Sequence, residues 1–324
     1  MSRSEFSKLI CKRALFLVKH LMLPVYAMEG SCREHTLRML IADDGSTLPY
    51  ISHLVFPNGA SVKKIGRINA LSAANLVENN ADVVVVGANH LLLGEYASRG
   101  FHLVPKWVCP LFSMPEGLDT AIENISYSAR KDIRRNIRIA LDKGFTYEVT
   151  SDPAWFEMFY HDVYMRYGMG KYGDLAQIDS YSRVKDSYSK GIGLIITLDG
   201  KPVIGTVVLR EGTTLRARYM GVYPDQDNAS TTGSPTAMYY FTMKLAHSLG
   251  CTAVNLGSTR PFLSDGVLKF KMKWEPKMLH DELSTAVFAI AAPGLTEPAT
   301  AFLAANPFFE MIGDDIVLHK PQSR

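Results

Sequence analysis

The stretch IGLIITLDGKPVIGTVVLREGTTLRARYMGV, residues 192–222, decides the fold. Ile192 to Leu198 is an apolar strand run, Asp199-Gly200 is a two-residue hairpin signal, and Pro202 to Arg210 is the partner run. Glu211-Gly212 turns again, and Thr213 to Val222 makes a third strand. Three consecutive antiparallel strands are predicted. After a polar loop from Tyr223 to Gly233, Ser234 suits an N-cap, Pro235 suits the first helical position, and Gly250 closes a helix ending at Leu249. Cys251 to Leu256 reads as a returning strand that stops at Gly257-Ser258-Thr259.

Upstream, Tyr127 to Lys143 has the pattern of a charged helix closed by Gly144. A strand from Phe145 to Thr150 follows, and then a helix, rich in aromatic residues, that opens at Ser151-Asp152-Pro153 and runs to Tyr167. The turn-rich joint from Ser113 to Gly117 places a domain boundary there, dividing the chain into 1–114 and 115–324. In the first part, Leu37 to Ala42, the turn Asp43-Asp44-Gly45 and a β-rich run from Thr47 to Phe56 predict a hairpin. Ile68 to Val77 has helical spacing, Val83 to Val86 is a short buried strand, and Phe101 to Phe112 is extended and punctuated by Pro105 and Pro110. The expected class is α/β (α+β), a mixed, mostly antiparallel sheet flanked by helices.

Composition agrees with a folded chain of about two domains: 324 residues, 47% hydrophobic and 21% charged. Lys plus Arg number 35 against 32 Asp plus Glu, so any basic function must be local. Cys11, Cys32, Cys109 and Cys251 lie far apart with no CxxC pair, which points to free thiols in a reducing, cytoplasmic setting. Lys19, His20 and Pro24 interrupt the apolar stretch Ala14 to Ala27, and the run Ala286 to Leu295 is too short to span a bilayer. With Arg3, Lys8, Lys12, Arg13 and Lys19, the N-terminal segment reads as a helix packed on the domain or as a basic helix touching a membrane surface. The nine histidines show no triad or metal spacing, and His102, His161, His247 and His280 have no partner identifiable in sequence.

Three antiparallel strands, a loop, a helix and a returning strand are the order of the central part of the GNAT acyltransferase fold. The segments Ser126 to Gly144, Leu249 to Gly257 and Gly266-Val-Leu-Lys-Phe-Lys271 resemble the FemAB-like branch of that superfamily, over roughly residues 115 to 280. The resemblance implies two GNAT-like units in tandem, the first degenerate. It also implies transfer of an acyl or aminoacyl group from an activated donor, acyl-CoA or aminoacyl-tRNA, to a small-molecule or peptide amine. GNAT folds in general use a CoA thioester, which favours acyl-CoA.

Several residues carry the chemistry this would need. Arg130, Arg134 and Arg138 fall at i, i+4 and i+8 on one helical stripe, with Lys131 and Arg135 beside it. Guanidinium groups match phosphate, so the stripe fits a nucleotide-linked substrate or a tRNA backbone; it equally fits a solvated face paired with acids such as Asp132 and Asp142. A noncatalytic module gripping RNA or another polyanion through this stripe is the alternative function. GNAT enzymes hold the CoA pyrophosphate in the loop before the central helix, where this chain has Ser230-Thr-Thr-Gly233-Ser234-Pro235; Gly233 matches, Ser replaces the usual basic residue, and Pro235 removes an N–H donor. Gly233 and Ser234 are the candidate donor-binding residues.

Tyr219 near the end of the third strand is a candidate proton donor or carbonyl partner, and Ser258 with Thr259 could orient the acceptor. Lys269, Lys271 and Lys273 alternate as on one face of an extended strand, where they could bind a substrate phosphate or carboxylate or serve as edge-strand charges that block aggregation. A Lys after an aromatic recurs near this point in FemAB-like proteins, and Phe270-Lys271 matches it, which implies a substrate-facing or oxyanion-stabilising role for Lys271.

Overall fold

The structure, a computed structural model, describes residues 22–45, 47–224, 234–281 and 286–319. In chain order its elements begin with β1 (Met22–Cys32), β2 (His35–Ala42), α1 (Leu48–Val55), β3 (Ala60–Asn69), β4 (Val83–Asn89), α2 (Leu93–Ser98), β5 (His102–Pro105) and β6 (Val108–Ser113). They continue with α3 (Leu118–Glu123), α4 (Tyr127–Asp142), β7 (Phe145–Thr150), α5 (Pro153–Met158), α6 (Arg166–Tyr172), α7 (Tyr181–Ser189), β8 (Ile192–Leu198), β9 (Lys201–Glu211) and β10 (Thr214–Val222). The last are α8 (Ser234–Ser248), β11 (Ala253–Asn255), α9 (Gly266–Lys271), β12 (Lys277–His280), β13 (Ala286–Ala291), α10 (Glu297–Ala305), β14 (Phe308–Ile312) and β15 (Asp315–His319).

Two units emerge, but not the linear pair divided at 114 and 115. Among the described residues, one holds those up to Val108 together with 259–269 and those from 279 onward; the other holds those within Cys109–Ser258 and Phe270–Met278. The reason lies in strand pairing. β13 hydrogen-bonds between β4 and β5, so the late apolar run from Ala286 completes the first sheet instead of belonging to the second.

The first unit's sheet has the order β3-β1-β2-β4-β13-β5, with β2 and β4 parallel. Val83 and Val85 face a core with Ile51, Val55 and Phe302, whereas Val84 and Val86 face Ala73 and Tyr96. Burial on both faces explains why this strand reads as an unbroken valine run. The hairpin expected from Leu37 to Phe56 is displaced: β1 pairs with β2 across a turn at Arg33, φ 57°, and Leu48–Val55 is helix α1. Pro49 in its first turn favours a helix start, and Ile51 and Val55, four apart, are the buried stripe. The basic N-terminal segment from Arg3 to Lys19 lies outside the described residues. No helix among the described residues is long and apolar enough to cross a membrane.

The second unit's sheet runs β12-β6-β11-β10-β9-β8-β7, and β10 and β11 pair in parallel. This is the mixed, mostly antiparallel sheet flanked by helices that the sequence predicts, with β7, β8 and the β8–β9 turn at their expected residues. Asp199 and Gly200 both have positive φ, 51° and 72°, as a type I′ hairpin turn requires. One face of the sheet packs on α3, α4 and α8 through residues such as Ile133, Ile137, Phe241 and Met243. The other packs on α5, the π-helical segment Phe159–Met165 and α7 through Trp155, Phe156, Phe159 and Tyr188.

Candidate functional site

The register of β10 with β9 shifts between Ala217 and Tyr219, leaving Arg218 unopposed in a bulge. Leu215 lies on the α8 side of the sheet, and period-two alternation would put Tyr219 beside it. The extra residue instead turns Tyr219 into the aromatic layer on the opposite face, and Met220 returns to the α8 side. On the neighbouring strand, pairing with β10 ends at Arg216 opposite Asn255. There the buried Asn255 side chain accepts a hydrogen bond from the Gly257 N–H at 3.0 Å, and Gly257 adopts φ 83°. A bulge on one strand and an Asx turn on the other thus begin at the same level of the sheet, where the two parallel strands stop pairing.

Lys271 is anchored at this point. Only 4% exposed, its Nζ donates to the Gly257 carbonyl at 2.7 Å and lies 3.4 Å from the Ser258 carbonyl. The Lys side chain comes from α9, not from the extended strand its alternation with Lys269 and Lys273 predicts. Asp265 is the cause: its carboxylate accepts from the N–H groups of Val267 and Leu268, an N-cap that starts a helix at Gly266. Two residues apart on a helix point about 200° apart, so Lys269 is exposed while Lys271 is buried. Phe270 stacks on Tyr239 of α8, and Trp274, 1% exposed, packs edge-on to Phe112, fixing both ends of the segment that carries Lys271.

Ser258 is brought to the same place, with its hydroxyl 3.4 Å from the Cys109 thiol, which also receives an Arg216 Nη2 contact at 3.8 Å. Cys109 and Arg216 are absent from the sequence-derived set. Arg216 is set by its register opposite Asn255, and Cys109 comes from a strand 149 residues before Ser258, so no local pattern announces either.

Tyr219 is 3% exposed and points elsewhere. Its hydroxyl donates to Asp179 Oδ2 at 2.9 Å and accepts from Arg218 Nε at 3.2 Å, and burial raises its pKa above the usual phenol value. Tyr160 donates to the Asp179 carbonyl and Tyr164 accepts from its N–H, while Arg183 pairs with the carboxylate at 2.8 Å. Asp179 is therefore a hub for three tyrosines, missed in sequence because those tyrosines lie 15 to 40 residues away. Tyr219→Phe is expected to lower the unfolding free energy by about 1 to 2 kcal/mol, measured by urea denaturation; an unchanged stability would make the Asp179 contact incidental.

The arginine stripe forms on α4 as expected, and acids meet part of it. Arg130 and Arg134 both pair with Glu123, and Arg135 pairs with Asp132 at 3.2 Å. Glu123 is the acid that the sequence pattern did not suggest, since it lies on α3. Arg138 is exposed. Ser234 is buried in the first turn of α8, and Gly233, the other candidate donor-binding residue, lies outside the described residues.

The first unit carries a second concentration of buried charge, also missed in sequence. Arg260, 7% exposed, lies between the rings of Tyr50 and Trp107 at 4.5 and 4.1 Å, and its Nη1 has no hydrogen-bond partner among the described residues. Asp43 is buried nearby in charge terms, its carboxylate accepting from the Thr47 and Gly45 N–H groups; burial raises its pKa and lowers that of Lys106. His102, for which the sequence offers no partner, is paired with Glu310.

No family model matches the chain, and no curated protein matches it in sequence. Among solved structures, it is similar to L-PGS from Bacillus licheniformis, at 12% identity over 87% of this chain and 85% of that one, with a TM-score of 0.41. FemX is similar at 12% identity over 81% and 83%, with a TM-score of 0.43. A tandem GNAT protein from the clavulanic acid biosynthesis pathway is similar at 8% identity over 81% and 80%, with a TM-score of 0.33.

Proposed function

We propose that the chain is an N-acyltransferase that passes an acyl or aminoacyl group from an activated donor to an amine, with acyl-CoA as the favoured donor. The observation that carries this reading is the Lys271 ammonium, buried and tethered to the Gly257 carbonyl where β10 and β11 stop pairing. Attack of a neutral amine on a thioester or ester carbonyl builds negative charge on the carbonyl oxygen, and a preorganised cation in a low-dielectric setting stabilises that charge far better than water does. The nitrogen loses a proton as the C–N bond forms, and the leaving thiolate or alkoxide gains one. Ser258, whose backbone carbonyl lies 3.4 Å from Lys271 Nζ, orients the acceptor through its hydroxyl in this reading. Tyr219 acts in this reading as a positioning residue, since its hydroxyl is bound to Asp179 and holds the bulge.

Transfer assays with radiolabelled acyl-CoA and aminoacyl-tRNA panels, each with amine acceptors, test the reading. Transfer from the first panel is expected, and silence across both would sink it. A thermal-shift series with CoA addresses the donor independently: at 100 times its dissociation constant, a ligand binding only the folded chain adds roughly 2.7 kcal/mol of stability. No shift at saturating CoA would move the donor to aminoacyl-tRNA.

Arg134, in the middle of the stripe, is assigned to donor phosphate, exchanging Glu123 for the anion. Arg134→Ala is expected to raise KM about tenfold while leaving kcat near its original value, as loss of one charge-assisted contact would do. An unaltered KM would return the stripe to a solvated face.

A further inference from the structure

Glu310 on β14 and His319 at the end of β15 belong to one face of the C-terminal hairpin, because Phe308 pairs with His319 and Glu310 lies two residues further along. His102 reaches the same carboxylate from β5. His102 Nδ1 is 2.8 Å from Glu310 Oε2, and His319 Nδ1 is 3.1 Å from Glu310 Oε1. One ligand atom from each of the three residues falls within a mutual 4.8 Å. The imidazole rings lie 4.3 Å apart, and Phe308, fully buried, stacks on His319 and meets His102 edge-on, forming an apolar floor. The side chains are 33%, 14% and 21% exposed, so solvent reaches the cluster.

We propose that His102, Glu310 and His319 form a binding site for a divalent transition-metal ion of the zinc class, clipping the C-terminal hairpin to strand β5. Two imidazoles and a carboxylate are the donor set such ions take, with a further position left to water. In a tetrahedral site with bonds of about 2.0 to 2.1 Å, neighbouring ligand atoms stand about 3.3 Å apart. His102 and His319 meet different oxygens of Glu310, so an ion replacing the bridging protons would take the carboxylate through both oxygens, with the ligand atoms drawing in from their present spread of up to 4.8 Å. The rival account is a cluster satisfied by its own hydrogen bonds, with no affinity for metal.

The full chain, stripped with chelator and dialysed, would be titrated with zinc chloride by calorimetry, with bound metal counted by mass spectrometry. One zinc per chain is expected, with a dissociation constant at or below about a micromolar, unaffected by millimolar magnesium. His319→Ala and Glu310→Gln are expected to weaken binding about 100-fold or more, while His247→Ala binds like the parent. Because a ligand variant could also unfold the hairpin, the parent chain gives a second readout: zinc should raise its thermal midpoint, and cobalt(II) should develop visible absorption that zinc displaces. No stoichiometric zinc on the parent chain, or zinc held as tightly by both ligand variants, would overturn the proposal in favour of the hydrogen-bonded cluster.

Discussion

Lys271→Met is expected to lower kcat by about a hundredfold or more, the loss found when a single preorganised donor to a developing oxyanion is removed. Met keeps the aliphatic stem and deletes the ammonium, so the packing around α9 survives while the charge near Gly257 does not. The substitution also leaves the Gly257 carbonyl without that donor, which should cost about 1 to 3 kcal/mol of stability. The two effects separate by measurement: circular dichroism and urea midpoints report the fold, and single-turnover rates on an active donor–acceptor pair report the chemistry. KM should change little, since a group acting on charge that develops in the transition state contributes little to ground-state binding. Full single-turnover activity in a folded Lys271→Met chain would reduce the residue to a tether for the Gly257 turn.

How much of this was legible in the sequence depends on how local the determining chemistry is. The β8–β9 hairpin could be placed to the residue because Asp199-Gly200 demands positive φ at two adjacent positions, a requirement few other turns share. The charged helix ending at Gly144, φ 82°, and the strand after it were readable for the same reason. Short elements were not. α1 has eight residues and α9 has six, lengths at which apolar runs fit a strand or a helix equally well. In α9 the alternating lysines favoured the strand, and one capping carboxylate, Asp265, decided for the helix.

The site divides along the same line. Lys271 could be singled out through its place in a recurring segment, yet its partner, the Gly257 carbonyl, is 14 residues away and is fixed by an Asx turn that no periodicity signals. Tyr219 was readable as a strand residue, but not the face it occupies, because a bulge of one residue inverts the alternation. His102 and Glu310 stand 208 residues apart, on β5 and on the late hairpin, and only the return of the chain to the first sheet brings them together.

Gly257→Ala tests whether the turn after β11 is a mechanical requirement of the site. Two costs are expected to add. The backbone sits at φ 83°, where a Cβ costs about 1 to 2 kcal/mol. That Cβ would also stand 2.8 Å from the Ala217 carbonyl oxygen and 3.7 Å from Lys271 Nζ. Backbone oxygen cannot swing aside as a side chain can, so β10 must shift at its bulge, at a further cost of about 1 to 3 kcal/mol. Gly200→Ala supplies the reference, since Gly200 has φ 72° and open space where its Cβ would be. It should lose only the conformational part, about 1 to 2 kcal/mol, by urea denaturation. Gly257→Ala should lose about 2 to 5 kcal/mol by the same measurement. It should also lower kcat, because the shift displaces the carbonyl that holds the Lys271 ammonium. If both alanine variants lose the same stability and Gly257→Ala keeps full turnover, then the close approach to Ala217 does not constrain the turn, and the position of Lys271 is set by α9 alone.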